Sequence, residues 1–319
     1  MPFTNKPNHI CSILSLLFIT GFIIVILPKP ALGRSGDSTV AIDSLIRRLQ
    51  TDSPTIRVRT AQELADHGPG AFKQLAKALT DGNKYIRVGA ALALGIMKNS
   101  NAVEPLIAAL RDTDPDVLDV SAYALGEINH AAAVSPLIAL LTSSKDDGRA
   151  AAARALGKLR DTRAIGPLMA ALNDTGDSEV AAASAEALGR IGGVYALEDL
   201  RKALKTRSLK IGLAAAWSLG EIGDKRSFPA LMTALRDNHS YLRYAAAEAL
   251  GKLDDRRAIK ALIGTLSDPQ PHVRWKSAQA LGKLDALSAV EHLKKLTEDE
   301  NVTVRGTARD VLEELQKKK

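Results

Sequence analysis

Residue types that carry covalent or metal chemistry are few in this 319-residue sequence, and they are scattered. The six histidines are His9, His67, His130, His239, His272 and His292, and no two share a helix at His-x-x-x-His spacing. The single cysteine, Cys11, falls in an apolar N-terminal run, so the rest of the chain has no disulfide, thiolate zinc site or cysteine nucleophile. No glycine-rich phosphate loop, Gly-x-Ser-x-Gly nucleophile turn or His-Glu-x-x-His zinc helix is found. No catalytic centre, metal site or cofactor is therefore expected.

What the sequence does contain is a period. Leu64, Leu94, Leu125, Leu156, Leu188, Leu219, Leu250, Leu281 and Leu312 follow one another at 30, 31, 31, 32, 31, 31, 31 and 31 residues. A second series keeps the same beat: Leu45, Leu75, Leu106, Leu137, Leu168, Leu200, Leu231, Leu262 and Leu293. Two leucine series locked to one period define a two-helix unit repeated about nine times, the signature of an α-solenoid. The fold expected is all-α, and no unit of about 31 residues could bury enough surface to stand alone. Residues 41–319 are expected to form the repeat body, opening on a lone second-type helix at 41–50 and closing on a lone first-type helix around Leu312. Asp114-Pro115 illustrates the start signal of a first helix, an N-cap followed by proline at the first helical position. Val117, Ser121, Ala124 and Leu125 then share one face, and Gly126 allows either close approach or termination. In the second helix the apolar stripe is Val134, Leu137, Ile138 and Leu141.

Charges keep the register too. Arg57, Arg87, Arg149, Arg243, Arg274 and Arg305 stand seven residues before the leucine, and Asp81, Asp112, Asp237, Asp268 and Asp299 stand thirteen before it. Because register defines them, they read as a structural ladder between units and not as an anion-binding row. The arginine lapses at Leu118, Ala181 and Gly212, which predicts looser middle units.

Surface positions carry the binding expectations. On the first helix, positions nine, six and two before the leucine lie on one face. Around Leu125, Leu156 and Leu188 that face is mostly acidic or small, with Asp116, Asp119, Asp147, Glu179 and Glu186. In the next three units it carries Lys210, Leu213 and Trp217, then Tyr241, Tyr244 and Glu248, then His272, Trp275 and Gln279. Both tryptophans of the chain fall in this patch, and clustered surface aromatics are enriched at interfaces. The plainer reading is that these rings fill gaps between units.

The net charge of +7 is mixed in sign along the repeats, with no long basic stripe, and nucleic acid is not an expected partner. Residues 10–27 form a charge-free run of about the length needed to cross a bilayer core, ended by Pro28 and Pro30. Ala31-Leu32-Gly33 supplies the small residues of a cleavage site before Arg34. Residues 1–33 are thus read as a signal peptide or an uncleaved membrane anchor, and residues 34–40 as a polar linker. The location expected is extracytoplasmic or at the membrane.

On "IRVGAALALG" (86–95), "LRYAAAEALG" (242–251) and "VRWKSAQALG" (273–282), the sequence resembles the HEAT-repeat proteins of the phycobilisome-lyase type. The resemblance implies a scaffold or adaptor that binds a protein or peptide. It also implies an alternative, an enzyme or enzyme subunit of the bilin lyase or deoxyhypusine hydroxylase kind. Hydroxylase-like members hold two irons with His-Glu dipeptides, and this sequence has none. Lyase-like members act on a cytoplasmic pigment protein, which fits poorly with an export segment. By analogy with the family, second helices line the concave side. The position two after the second leucine reads Arg47, Lys77, Ala108, Ala139, Ala170, Lys202, Thr233, Gly264 and Lys295. With Arg48, Lys73 and Lys205 nearby, it forms a candidate groove for an acidic extended peptide or helix.

Overall fold

The computed structural model describes residues 35–143, 147–174 and 176–317, with side chains from residue 39. Among these residues there are eighteen α-helices and no strands. They are α1 (Ser35–Arg48), α2 (Pro54–Asp66), α3 (Pro69–Ala78), α4 (Lys84–Met97), α5 (Val103–Ala109) and α6 (Pro115–Ile128). Then follow α7 (Val134–Leu141), α8 (Arg149–Leu159), α9 (Ile165–Asn173), α10 (Ser178–Ile191), α11 (Leu197–Ala203) and α12 (Leu209–Ile222). The last six are α13 (Phe228–Ala234), α14 (Ser240–Lys252), α15 (Ile259–Gly264), α16 (Pro271–Lys283), α17 (Val290–Leu296) and α18 (Val302–Gln316). Even-numbered helices are the first helices of the repeats, and odd-numbered ones are the second helices, which after α1 are the shorter of each pair. The chain divides into two compact units, one ending at Leu140 and one beginning at Leu141.

Each unit is a stack in which a first helix packs on the next first helix and on the second helix of its own repeat. The repeat leucines are the buried seam. Leu64, Leu94 and Leu125 of the first unit, and Leu156, Leu188, Leu219, Leu250 and Leu281 of the second, are fully buried. The second-helix series is equally buried from Leu75 to Leu293. Leu45 differs: it is half-buried, and Ile42 and Leu49 carry the packing of α1. Val117, Ser121, Ala124 and Leu125 are buried together, as are Val134, Leu137 and Leu141, with Ile138 half-buried.

The expected linker at 34–40 is a correction. Helix α1 begins at Ser35, so residues 35–40 are helical and the expected 41–50 helix runs from Ser35 to Arg48. Serine and aspartate suit a helix's first turn as well as they suit a linker, and so the composition of "SGDS" could not separate the two. The apolar run 10–27 and the cleavage site before Arg34 lie outside the described residues.

First helices start in two ways: α8, α12, α14 and α16 have no side-chain cap, and the others begin on a capping Ser, Asn or Asp. The carboxylate of Asp114 accepts from the Asp116 amide at 3.0 Å, with Pro115 in the first turn. Asn83, Asp177 and Asn301 cap α4, α10 and α18 in the same way. The glycines after Leu94, Leu156, Leu188, Leu219 and Leu250 serve close approach and not termination. A Cβ on Gly95 would sit 2.8 Å from the Ala124 Cβ, and one on Gly220 would sit 2.8 Å from the Ala249 Cα. Gly157 and Gly251 face Ala187 and Ala280 at similar range. The helices stop later, at left-handed residues such as Asn129 after α6 and Gly223 after α12.

The arginine ladder is present and bridges neighbouring repeats. Arg87 donates Nε and Nη2 to Asp112 at 2.8 and 2.9 Å, and Nη1 to the Asp81 carbonyl at 2.9 Å. Arg243 does the same with Asp268 (2.7 and 2.8 Å) and the Asp237 carbonyl. Arg274 repeats it with Asp299 and the Asp268 carbonyl. Each guanidinium thus ties its own unit's loop to the aspartate of the next unit in a bidentate pair. A further rung, Arg149 to Asp174 at 3.0 Å, is hidden in the sequence because the 32-residue spacing moves the aspartate one place out of register. Where the spacing is 30, Arg57 instead bonds the Thr51 carbonyl and lies over the Tyr85 ring, 4.7 Å from its centroid. Its Nε has no hydrogen-bond partner, and burial pulls its pKa below the ordinary value.

The lapsed positions are packed rather than loose. Leu118 and Ala181 are buried apolar contacts, and Gly212 is also buried. Between α10 and α12, Gly189 admits Ser218, whose single hydroxyl proton is shared between the Ala185 carbonyl at 2.8 Å and the Ala214 carbonyl of its own helix at 2.7 Å. Glu179 is bridged by Arg154 from the preceding first helix and Lys210 from the following one.

Candidate aromatic cleft

Three successive first helices of the second unit, α12, α14 and α16, place the aromatic face. Positions nine, six and two before the leucine are set on one side by helical periodicity, and glycine–alanine contact brings adjacent helices close. Rings on neighbouring helices then meet. Tyr241 stacks on His272 with centroids 4.9 Å apart and planes 18° apart. Tyr244 lies 6.0 Å from Trp275 and 6.1 Å from His272. Between α12 and α14 the rings stay apart and leave a cleft of about 250 Å³. It is lined by Leu213 and Trp217 from α12 and by Tyr241, Tyr244, Ala245, Glu248, Ala249 and Lys252 from α14.

The patch is less exposed than surface aromatics would be on an isolated helix. Trp217, Tyr244 and Trp275 are half-buried, while Tyr241 is 60% exposed. The gap-filling and open-surface readings are therefore both realised, on different rings. His272 Nε2 is buried without a hydrogen-bond partner beneath Tyr241.

Cations hold the ring faces. Arg190 lies 5.6 Å and Lys252 5.8 Å from the Trp217 centroid; Lys276 lies 4.5 Å from Trp275 and 5.0 Å from Tyr244. Carboxylates balance them: Glu248 lies within 3.1 Å of Lys252 and 3.6 Å of Lys276. Burial opposes its ionisation, but the Lys252 hydrogen bond and the charges of Lys276, Lys252 and Lys283 outweigh that and hold its pKa below the usual range. Lys252 also donates to Glu221 at 2.6 Å, and its pairs with Glu221 and Glu248 raise its pKa against the opposing effect of burial. Along α10, burial pushes the Glu186 carboxyl up.

Arg190, Lys252, Ala245 and Ala249 were not singled out by the sequence. Arg190, Glu221 and Lys252 stand two residues after their leucines, one helical turn beyond the aromatic position, and reading that position alongside the aromatic one would have found them.

The basic candidates of the second helices separate by unit. Arg47, Arg48, Lys73 and Lys77 belong to the first unit, and Lys202 and Lys205 to the second. All six are exposed. Arg48 is engaged, donating to Thr60 at 2.9 Å and pairing with Glu63, and Lys202 faces Asp199 at 3.8 Å. The position two after the second leucine is exposed in every repeat, from Arg47 to Lys295. Among the described residues no group of three or more His, Cys, Asp or Glu side chains could hold a metal ion, and no helix is long and apolar enough to cross a membrane.

Stacked helix pairs with a leucine seam and a surface cleft built from successive repeats define an α-solenoid. The sequence matches the HEAT-repeat family at residues 42–119, 103–189, 167–251 and 228–313, and the chain belongs to that family. No curated protein sequence matches it. Among solved structures it is similar to YibA of Escherichia coli, at 16% identity over 90% of this chain and 99% of that one, with a TM-score of 0.56. It is also similar to an engineered protein (23%, 89% and 92%, TM-score 0.47) and to human deoxyhypusine hydroxylase in complex with glycerol (21%, 89% and 98%, TM-score 0.35). The YibA likeness supports the shared fold.

Proposed function

We propose that this HEAT-repeat chain is a non-catalytic scaffold that binds a protein partner through the cleft between α12 and α14. We place it outside the cytoplasm or at the membrane, on the strength of the apolar run 10–27. HEAT repeats generally mediate protein–protein interaction, since stacked units present extended surfaces. The observation that carries the reading is the cleft itself, lined by Trp217, Tyr241 and Tyr244 with Ala245 and Ala249, and open to solvent at Tyr241. Tryptophan and tyrosine are the residues most often found to dominate binding energy when truncated.

The test is capture from native membrane and periplasmic extracts by the full-length protein tagged at its C-terminus, with Trp217→Ala/Tyr244→Ala/Trp275→Ala as the comparison. A partner held by wild type and lost by a triple variant that keeps its helical circular dichroism supports the reading. Equal capture by both places binding elsewhere and removes the cleft from the proposal.

A further inference from the structure

Resting on the reading of the cleft as a binding site, we infer that its occupant is a second copy of this chain, whose Val194–Tyr195 turn enters the slot between Trp217 and Tyr244 in a two-fold exchange. The turns between first and second helices mostly follow one pattern. Asn99, His130, Asp161, Asp224 and Asp255 each open such a turn and accept the amide two residues on. Arg163, Arg226 and Arg257 then fold back on those aspartates, so each guanidinium is engaged within its own turn. After α10 the pattern fails. Gly193 takes the capping place and caps nothing, and Tyr195 stands where the arginines do. Ala286, after α16, also caps nothing, but there the outward place goes to a serine, Ser288. With no carboxylate to fold back on, Tyr195 is 80% exposed, and Val194 beside it is 45% exposed. A local departure of this kind, leaving an aromatic knob in water, marks a contact surface.

The cleft matches that knob in size and chemistry. Its volume of about 250 Å³ has room for one aromatic side chain and not for a helix of about 10 Å diameter. Its charged lining is already paired, Lys252 with Glu221 and Glu248, and Glu248 also with Lys276. Such a slot offers nothing to the free N–H and C=O groups of an extended peptide, and it favours a side chain carried on a turn that bonds itself. The 192–196 turn does so: the amides of Gly193, Val194 and Ala196 donate to the carbonyls of Leu188, Gly192 and Gly193. A tyrosine packs its ring against the slot's aromatics and keeps its hydroxyl toward the open side at Tyr241. One chain thus supplies both halves of the contact. Both lie in the unit that begins at Leu141, and Arg190, at the end of the helix leading into the turn, reaches within 5.6 Å of the Trp217 centroid. A two-fold axis between knob and slot places each knob on the other copy's slot, the closed arrangement most homo-oligomers adopt. With knob and lining at roughly 200 Å² each, two insertions bury roughly 800 Å², at the low end of specific interfaces. The dimer is therefore expected to form reversibly with concentration.

The experiment is sedimentation velocity on the full-length chain in mild detergent, over a concentration series. Wild type is expected to pass from monomer to dimer as concentration rises. Tyr195→Asp, at an exposed position outside the core, is expected to weaken dimerisation roughly tenfold or more. Trp217→Ala, with its helical circular dichroism unchanged, is expected to do the same from the slot's side. An equimolar mixture of the two variants is expected to associate more tightly than either alone, since the intact turn of one meets the intact slot of the other. A wild type that stays monomeric, a dimer indifferent to Tyr195→Asp, or a mixture no tighter than its components overturns the inference. Should capture from extracts still depend on the aromatic triad in that case, the proposed function stands while the second copy falls as its occupant.

Discussion

Asp299 shows what a single rung of the ladder contributes. Two hydrogen bonds from Arg274, at 2.7 and 2.8 Å, hold its carboxyl below the usual carboxylate range, and both side chains are under 10% exposed. A carboxyl depressed in the folded state stabilises the fold above its unfolded value of about 4 and loses that contribution as pH falls through the folded value. Asp299→Asn leaves the buried guanidinium with only the exposed Glu300 carboxylate, 3.2 Å away, and is expected to cost up to about 3 kcal/mol near neutrality. Urea titrations from about pH 7 down to about pH 3 should show the variant and wild-type stabilities converging on the acid side. A constant gap across that range would mean the rung contributes packing and not charge.

At the scale of the helix, glycine has two opposite roles in this protein. Gly220 inside α12 faces Ala249 so closely that an added Cβ would lie 2.8 Å from a backbone atom. Gly220→Ala gains about 1 kcal/mol of helix propensity and is expected to lose more to overpacking, for a net destabilisation of about 1–2 kcal/mol. Gly306 inside α18 is exposed and has nothing within 4 Å of where its Cβ would be. There Gly306→Ala is expected to stabilise by up to about 1 kcal/mol. Thermal melts of the two variants should move in opposite directions; a rise in both would show that propensity alone governs both sites.

Over the whole molecule, rigidity follows from how the repeats are joined. The lapsed arginines at Ala181 and Gly212 suggested loose middle repeats, but α10 and α12 are joined by the close packing of Gly189 on Ser218 and by the Glu179–Lys210 pair. Amide exchange is expected to protect the cores of α10 and α12 as strongly as those of α14 and α16. Markedly faster exchange in α10 and α12 would restore the looser reading and make the arginine rungs the dominant link.

The period of the leucines determined the fold class, because an amphipathic two-helix unit of about 31 residues has only its neighbours to bury it. The same period determined which aromatics share a face: Trp217, Tyr241, Tyr244, His272 and Trp275 were legible because helical spacing is a property of the chain alone. The tertiary structure decided whether neighbouring rings close up or stand apart. Tyr241 and His272 stack, while Trp217 and Tyr244 leave a slot, a difference set by rotamers and helix separation that no single helix encodes. It also decided which charges meet those rings. Arg190, Lys252 and Lys276 come from three different first helices, up to 86 residues apart in the chain, and only packing brings them to one patch. Asp174 stayed hidden for a related reason: one inserted residue breaks a count along the chain but leaves the distance from Arg149 bridgeable at 3.0 Å.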